Sequence, residues 1–81
     1  MLQESNEVLA TIRRITAALI DVDPVRIVPA AKWADFGADR FDFMGVLRNV
    51  QKHYSIEIPD DDAFEMETVG QLIAFVLASQ K

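Results

Sequence analysis

Arg40, Arg48 and Lys52 are separated by multiples of four, so on a helix they stand on one face with Met44 between the arginines, and Phe43 adds apolar area beside them. Cations set among exposed apolar groups suit docking on an acidic protein surface or holding a phosphate. Without a ligand they are simply a solvated helix face. His53 is the single histidine. A general base needs an orienting partner and a nucleophile within reach, and the sequence offers no such constellation, so His53 reads as a helix-end residue facing the negative dipole. Asp60, Asp61 and Asp62 are consecutive and point in different directions at a helix start, with no calcium-loop spacing after them. They read as capping and solvation. There is no cysteine, no phosphate-binding glycine loop, no zinc spacing and no nucleophile motif. The chain is therefore expected to be no enzyme and to hold no metal.

Eighty-one residues, 51% of them apolar, suffice for a single small domain over 1–81 with a few kcal/mol of net stability. No apolar run has membrane-spanning length and no secretory signal is visible, so a cytoplasmic protein without membrane insertion is expected. The net charge of −5 sits almost wholly in residues 55–81, where Glu57, Asp60, Asp61, Asp62, Glu65 and Glu67 face only Lys81, while residues 37–54 carry +1. Overall acidity disfavours nucleic acid and anionic membrane as partners.

The elements that must position these side chains are helices. Val8, Ile12, Ile15 and Leu19, widened by Leu9 and Ile20, mark a first helix with Ser5 as N-cap and an end at Asp21-Val22-Asp23-Pro24. Residues 24–38 form a long connection whose Ile27, Val28, Trp33 and Phe36 are too apolar for a solvated loop, so Trp33 and Phe36 are expected to anchor it. Asp39 caps a second helix running to Tyr54, with Asp42 in a capping-box position and an inward stripe of Phe41, Met44, Leu47, Val50 and Tyr54. Gly45 lies within this helix, where it either admits a close neighbour or is merely tolerated at about 1 kcal/mol. Ile56 and Ile58 turn back towards the core, the three aspartates open a short third helix, and Thr68 to Gln71 cap a last one carrying Val69, Leu72, Ile73, Val76 and Leu77. The expected fold is all-α: three main helices, a short third one and a long first loop.

Asp35-Phe36-Gly37-Ala38-Asp39-Arg40-Phe41-Asp42 resembles the D-L-G-A-D-S-L-D signature of acyl carrier proteins. Ile56 to Ala63 resembles that family's E-I-P-D-E-E-A stretch, and Thr68-Val69-Gly70 with Leu72 its T-V-G-x-L helix start. The resemblance spans nearly the whole chain and implies an acyl-carrier-protein-like four-helix bundle. In that family the serine of the signature carries phosphopantetheine; here Arg40 stands in its place. The resemblance thus implies that no cofactor is attached, because Ser5, Ser55 and Ser79 lie in no matching context. The family's partner-attracting glutamates on the second helix correspond here to Gly45, Gln51, Lys52 and His53.

Three functions follow from this resemblance. The first is a noncovalent docking, adaptor or regulatory subunit that binds a protein partner through Arg40, Phe43, Met44, Arg48 and Lys52, the partner being an acyl-transfer or lipid or polyketide synthesis enzyme. The second is a carrier of phosphopantetheine-linked acyl groups in fatty-acid, lipid or polyketide biosynthesis. The third is a small lipid-binding module lined by Phe41, Met44, Leu47, Ile56, Ile58 and Phe64. The chain alone is expected to be monomeric.

Overall fold

Val8, Ile12 and Thr16 recur every four residues and are fully buried along the helix α1, Ser5–Leu19. This computed structural model describes residues 4–80, so the two ends of the expected 1–81 domain lie outside the described residues. Glu4, not Ser5, occupies the N-cap of α1, and it makes no side-chain capping bond. Leu19 departs from the expected inward stripe: the helix ends there and the side chain is 47% exposed, while Thr16 fills the buried position a turn earlier.

The chain then crosses a long connection built from two 3-10 turns, Pro24–Arg26 and Trp33–Phe36. Asp23 accepts a hydrogen bond from Val25 N at 3.1 Å, and Pro24 occupies the first position of the turn, where a missing N–H costs nothing. Ile27, Trp33 and Phe36 are buried as expected, but Val28, which lies between the two turns beside the buried Ile27, is exposed. Trp33 meets Phe36 edge-on with ring centroids 5.9 Å apart. From α1, Arg13 donates through Nε and a terminal nitrogen to Ile27 O at 3.1 and 2.9 Å, tying the connection to the helix. Gly37 ends the second turn in the left-handed region, φ 70°, a conformation glycine adopts without a Cβ penalty.

Helix α2 runs Arg40–Tyr54. Asp39 Oδ1 accepts from Asp42 N at 2.8 Å, and Asp42 Oδ2 accepts from Asp39 N at 3.2 Å, completing the expected capping box. The buried positions are Val46, Leu47 and Val50. After Ser55, in the left-handed region at φ 56°, the chain returns with Ile58 N–H donating to Gln51 Oε1 at 2.9 Å. Ile58 is buried and Ile56 half-buried against the core. Helix α3, Asp60–Glu65, has its three aspartates in the first turn. Helix α4, Val69–Ser79, opens with the Thr68–Gln71 capping box and buries Val69, Leu72, Ile73 and Val76.

Helix α1 packs on α2 and α4, and one hydrophobic core joins the helices to the connection. Main-chain bonds also stitch the connection to the segment before α4: Trp33 N to Glu67 O at 3.1 Å, Val69 N to Ala31 O at 3.0 Å and Gly70 N to Pro29 O at 2.8 Å. An isolated antiparallel bridge between Lys32 and Thr68 marks this seam, with no strand among the described residues. The fold is the expected all-α bundle.

Candidate functional site

The start of α2 is positioned by three constraints: the Gly37 turn behind it, the Asp39 box at its N-cap, and the buried Val46, Leu47 and Val50 that fix its rotation. With that rotation set, the wheel places Phe41, Arg48 and Lys52 on the side opposite the buried residues, with Arg40 and Met44 leaning towards α3. Arg40, Met44, Arg48 and Lys52 are all exposed, as expected of a shared row.

Phe43 is not part of that row. It is half-buried with its ring 5.2 Å from Trp33, packed against the core. The exposed aromatic of α2 is Phe41, 87% exposed, which had been expected to point inward. Met44, another member of the expected inward stripe, is also exposed. The inward stripe is therefore Phe43, Val46, Leu47, Val50 and Tyr54, shifted round the helix from the expected one.

Arg40 is the first residue of α2, where a cation meets the unfavourable end of the helix dipole. Its guanidinium carbon lies 4.6 Å from the centroid of the Phe64 ring, so α3 supplies a cation–π contact at that point. A sequence carries no local signal for this pair, since the partners are 24 positions apart. Arg40, Phe43 and Met66 border two adjoining cavities. One, of about 390 Å³, opens between Lys32–Ala34, the start of α2 and Glu67; the other, of about 300 Å³, lies between α2 and α3 and is completed by Met44, Ala63 and Phe64. Neither lining contains a serine, threonine or tyrosine.

The expected lipid-lining set does not come together. Leu47 and Ile58 are buried, while Phe41 and Phe64 project into solvent at 87% and 63% exposure. Among the described residues no atom crowds Gly45: a Cβ there would meet Leu19 Cδ1 at 3.8 Å, ordinary van der Waals contact. His53 stands at the end of α2 with its ring edge-on to Tyr54, centroids 4.8 Å apart. No group of three histidine, cysteine or acidic side chains able to hold a metal occurs among the described residues, and no helix there is long and apolar enough to cross a membrane.

Residues 10–76 match the family described as the phosphopantetheine attachment site. Over 72 residues the chain is 32% identical to an acyl carrier protein of Thermosynechococcus vestitus, covering 88% of this chain and 89% of that one. Against an acyl carrier protein of Phenylobacterium zucineum it is 33% identical, covering 88% and 91%. A solved structure of the acyl carrier protein from Enterococcus faecalis superposes with a TM-score of 0.80 at 23% identity, covering 96% of this chain and all of that one, a likeness of fold.

Proposed function

Since the chain belongs to the acyl carrier protein family of phosphopantetheine attachment domains, which are carriers and not enzymes, we propose that it acts without the phosphopantetheine arm, as a noncovalent docking or regulatory subunit. The observation that carries this reading is Arg40, which follows Asp39 at the start of α2 and rests on Phe64. Attachment of phosphopantetheine as a phosphodiester needs a hydroxyl oxygen. A guanidinium has none, and no hydroxyl side chain lines either cavity that Arg40 borders. The residues present do not fit the group.

What remains for function is the exposed side of α2. Arg40, Arg48 and Lys52 form its cationic row with Met44 between the arginines, and Phe41 takes the place given in sequence to Phe43 as the apolar anchor. Aromatic and arginine side chains are enriched among residues that dominate binding energy. The partner is a protein with an acidic surface, such as an acyl-transfer or lipid or polyketide synthesis enzyme, met in the cytoplasm. The test is capture of partners from the source organism by the wild-type chain and by Arg48→Glu/Lys52→Glu, followed by affinity measurement at low salt. At least about a tenfold loss is expected, as for charge pairs that steer and fix a docked complex. Unchanged affinity would remove the docking assignment.

Family membership itself favours a second reading, an acyl carrier modified at another position. Incubation with a phosphopantetheinyl transferase and coenzyme A decides between them by intact mass. No gain is expected for the wild-type chain; a gain would establish the carrier reading.

A further inference from the structure

The exposed face of α2 does not end at its cationic row. Helix α3 lies beside α2 and runs the opposite way: its Asp60 end shares a cavity with Gln51, and its Phe64 end lies under the Arg40 guanidinium. Asp60 and Asp61 precede Phe64 by four and three positions, so they stand on its side of α3, and all three are exposed. Two stripes of opposite charge therefore lie side by side, Arg48 and Lys52 on α2, Asp60 and Asp61 on α3. Met44 and Phe64, which line the same cavity, occupy the seam between them.

Apart from Arg40, which stands over Phe64 at the seam and would meet its own counterpart, such a face is complementary to itself. A two-fold axis laid along the seam brings the cationic stripe of one copy onto the acidic stripe of the other, twice in the same contact, and brings the seam residues against their own counterparts. This is an isologous contact, which closes at two copies and cannot propagate. We propose that the α2–α3 face is the contact surface of a homodimer of this chain. A second copy supplies both signs of charge in matching order, together with an apolar seam, by symmetry. The contact would also cover Phe41 and Phe64, which with Val25 are the three most exposed large apolar side chains among the described residues. The net charge of −5 on each copy opposes association, so the dimer is weak and exchanges with monomer. It uses the face assigned above to a protein partner and would withhold it, yet each assignment stands without the other.

Sedimentation equilibrium of the full chain from about 10 μM to about 1 mM, the range of weak association, tests this. The weight-average mass should climb from 9.1 kDa towards twice that value. Arg48→Glu/Lys52→Glu and Asp60→Lys/Asp61→Lys should each weaken association at least about tenfold, and mixing the two should restore it, because an all-acidic face then meets an all-basic one. Helix content by circular dichroism checks that each variant folds; if the lysine pair does not, Phe41→Ala, which removes only exposed surface, should also lower association about tenfold. The proposal is overturned by a wild-type mass fixed at 9.1 kDa, by either charge variant associating as the wild type does, or by folded variants that fail to combine. Capture of an outside partner would survive each of these failures, so the two assignments are separable.

Discussion

A methyl group added at Gly45 projects from α2 towards Leu19, whose Cδ1 it meets at 3.8 Å, an ordinary van der Waals distance. The backbone there is helical, so alanine gains about 1 kcal/mol in helix propensity, chiefly by reducing the freedom of the unfolded chain. Contact with the half-covered Leu19 adds a little apolar burial. At Gly70 the same methyl group would stand 3.0 Å from Pro29 O and 3.5 Å from Pro29 Cβ. That carbonyl accepts the Gly70 N–H at 2.8 Å, so moving it away weakens the bond joining α4 to the connection. Overpacking of this kind costs about 1–3 kcal/mol, and a position in the first helical turn recovers less propensity. Gly45→Ala is thus expected to raise stability by about 0.5–1 kcal/mol and Gly70→Ala to lower it by about 1 kcal/mol. For a domain of this size these shift Tm by about 2–8 °C upward and about 4–8 °C downward. Thermal unfolding followed by far-ultraviolet circular dichroism at one protein concentration measures both. A fall in Tm for Gly45→Ala would mean that something approaches α2 more closely than Leu19 does, and a rise for Gly70→Ala would refute the close contact with Pro29.

Three further perturbations test other contacts. A double-mutant cycle of Arg40→Gln and Phe64→Leu should give a coupling of about 0.5–1 kcal/mol for an exposed cation–π pair; zero coupling in chemical denaturation would dissolve the contact between α2 and α3. Thr16→Val should stabilise the fold by about 1 kcal/mol, since the Thr16 hydroxyl is buried without a protein hydrogen-bond partner; a loss of similar size would show that the hydroxyl is satisfied. Thr68→Ala should cost about 1 kcal/mol by removing the acceptor that Gln71 N uses at 3.2 Å, measured as a shift of the denaturation midpoint at constant slope.

The elements closed by side-chain boxes were legible in the sequence. Asp39 with Asp42 and Thr68 with Gln71 each satisfy helix N–H groups within a few residues of chain, so their signal is local, and α2 and α4 begin where those residues place them. The start of α1 was less legible because Ser5 is a good cap by type but is already helical, and Glu4 precedes it without capping. The rotation of α2 differs from the expected one for a physical reason. Phe41 and Phe43 lie on nearly opposite sides of one helix, and a helix with apolar residues on both sides leaves its phase open to periodicity. Only the neighbour decides, and that neighbour is Trp33, arriving from the connection. Arg48 and Lys52 escape this shift because they lie away from the buried stripe in either phase, whereas Arg40 is exposed only in the phase the fold adopts. The contact of Arg40 with Phe64 was beyond reach, since it depends on the return of α3 alongside α2.

The bonds between the connection and α4 have one more consequence, for hydrogen exchange. The first amides of a helix ordinarily lack acceptors and exchange with solvent quickly. In α4 the N–H groups of Val69 and Gly70 are held by Ala31 and Pro29 carbonyls, and that of Gln71 by Thr68. The helix therefore frays from its Ser79 end alone, and slow exchange at Val69 and Gly70 reports directly on whether the remote connection is docked. Those two amides act as a sensor for residues 29–31, read at a place in the chain nearly forty residues away.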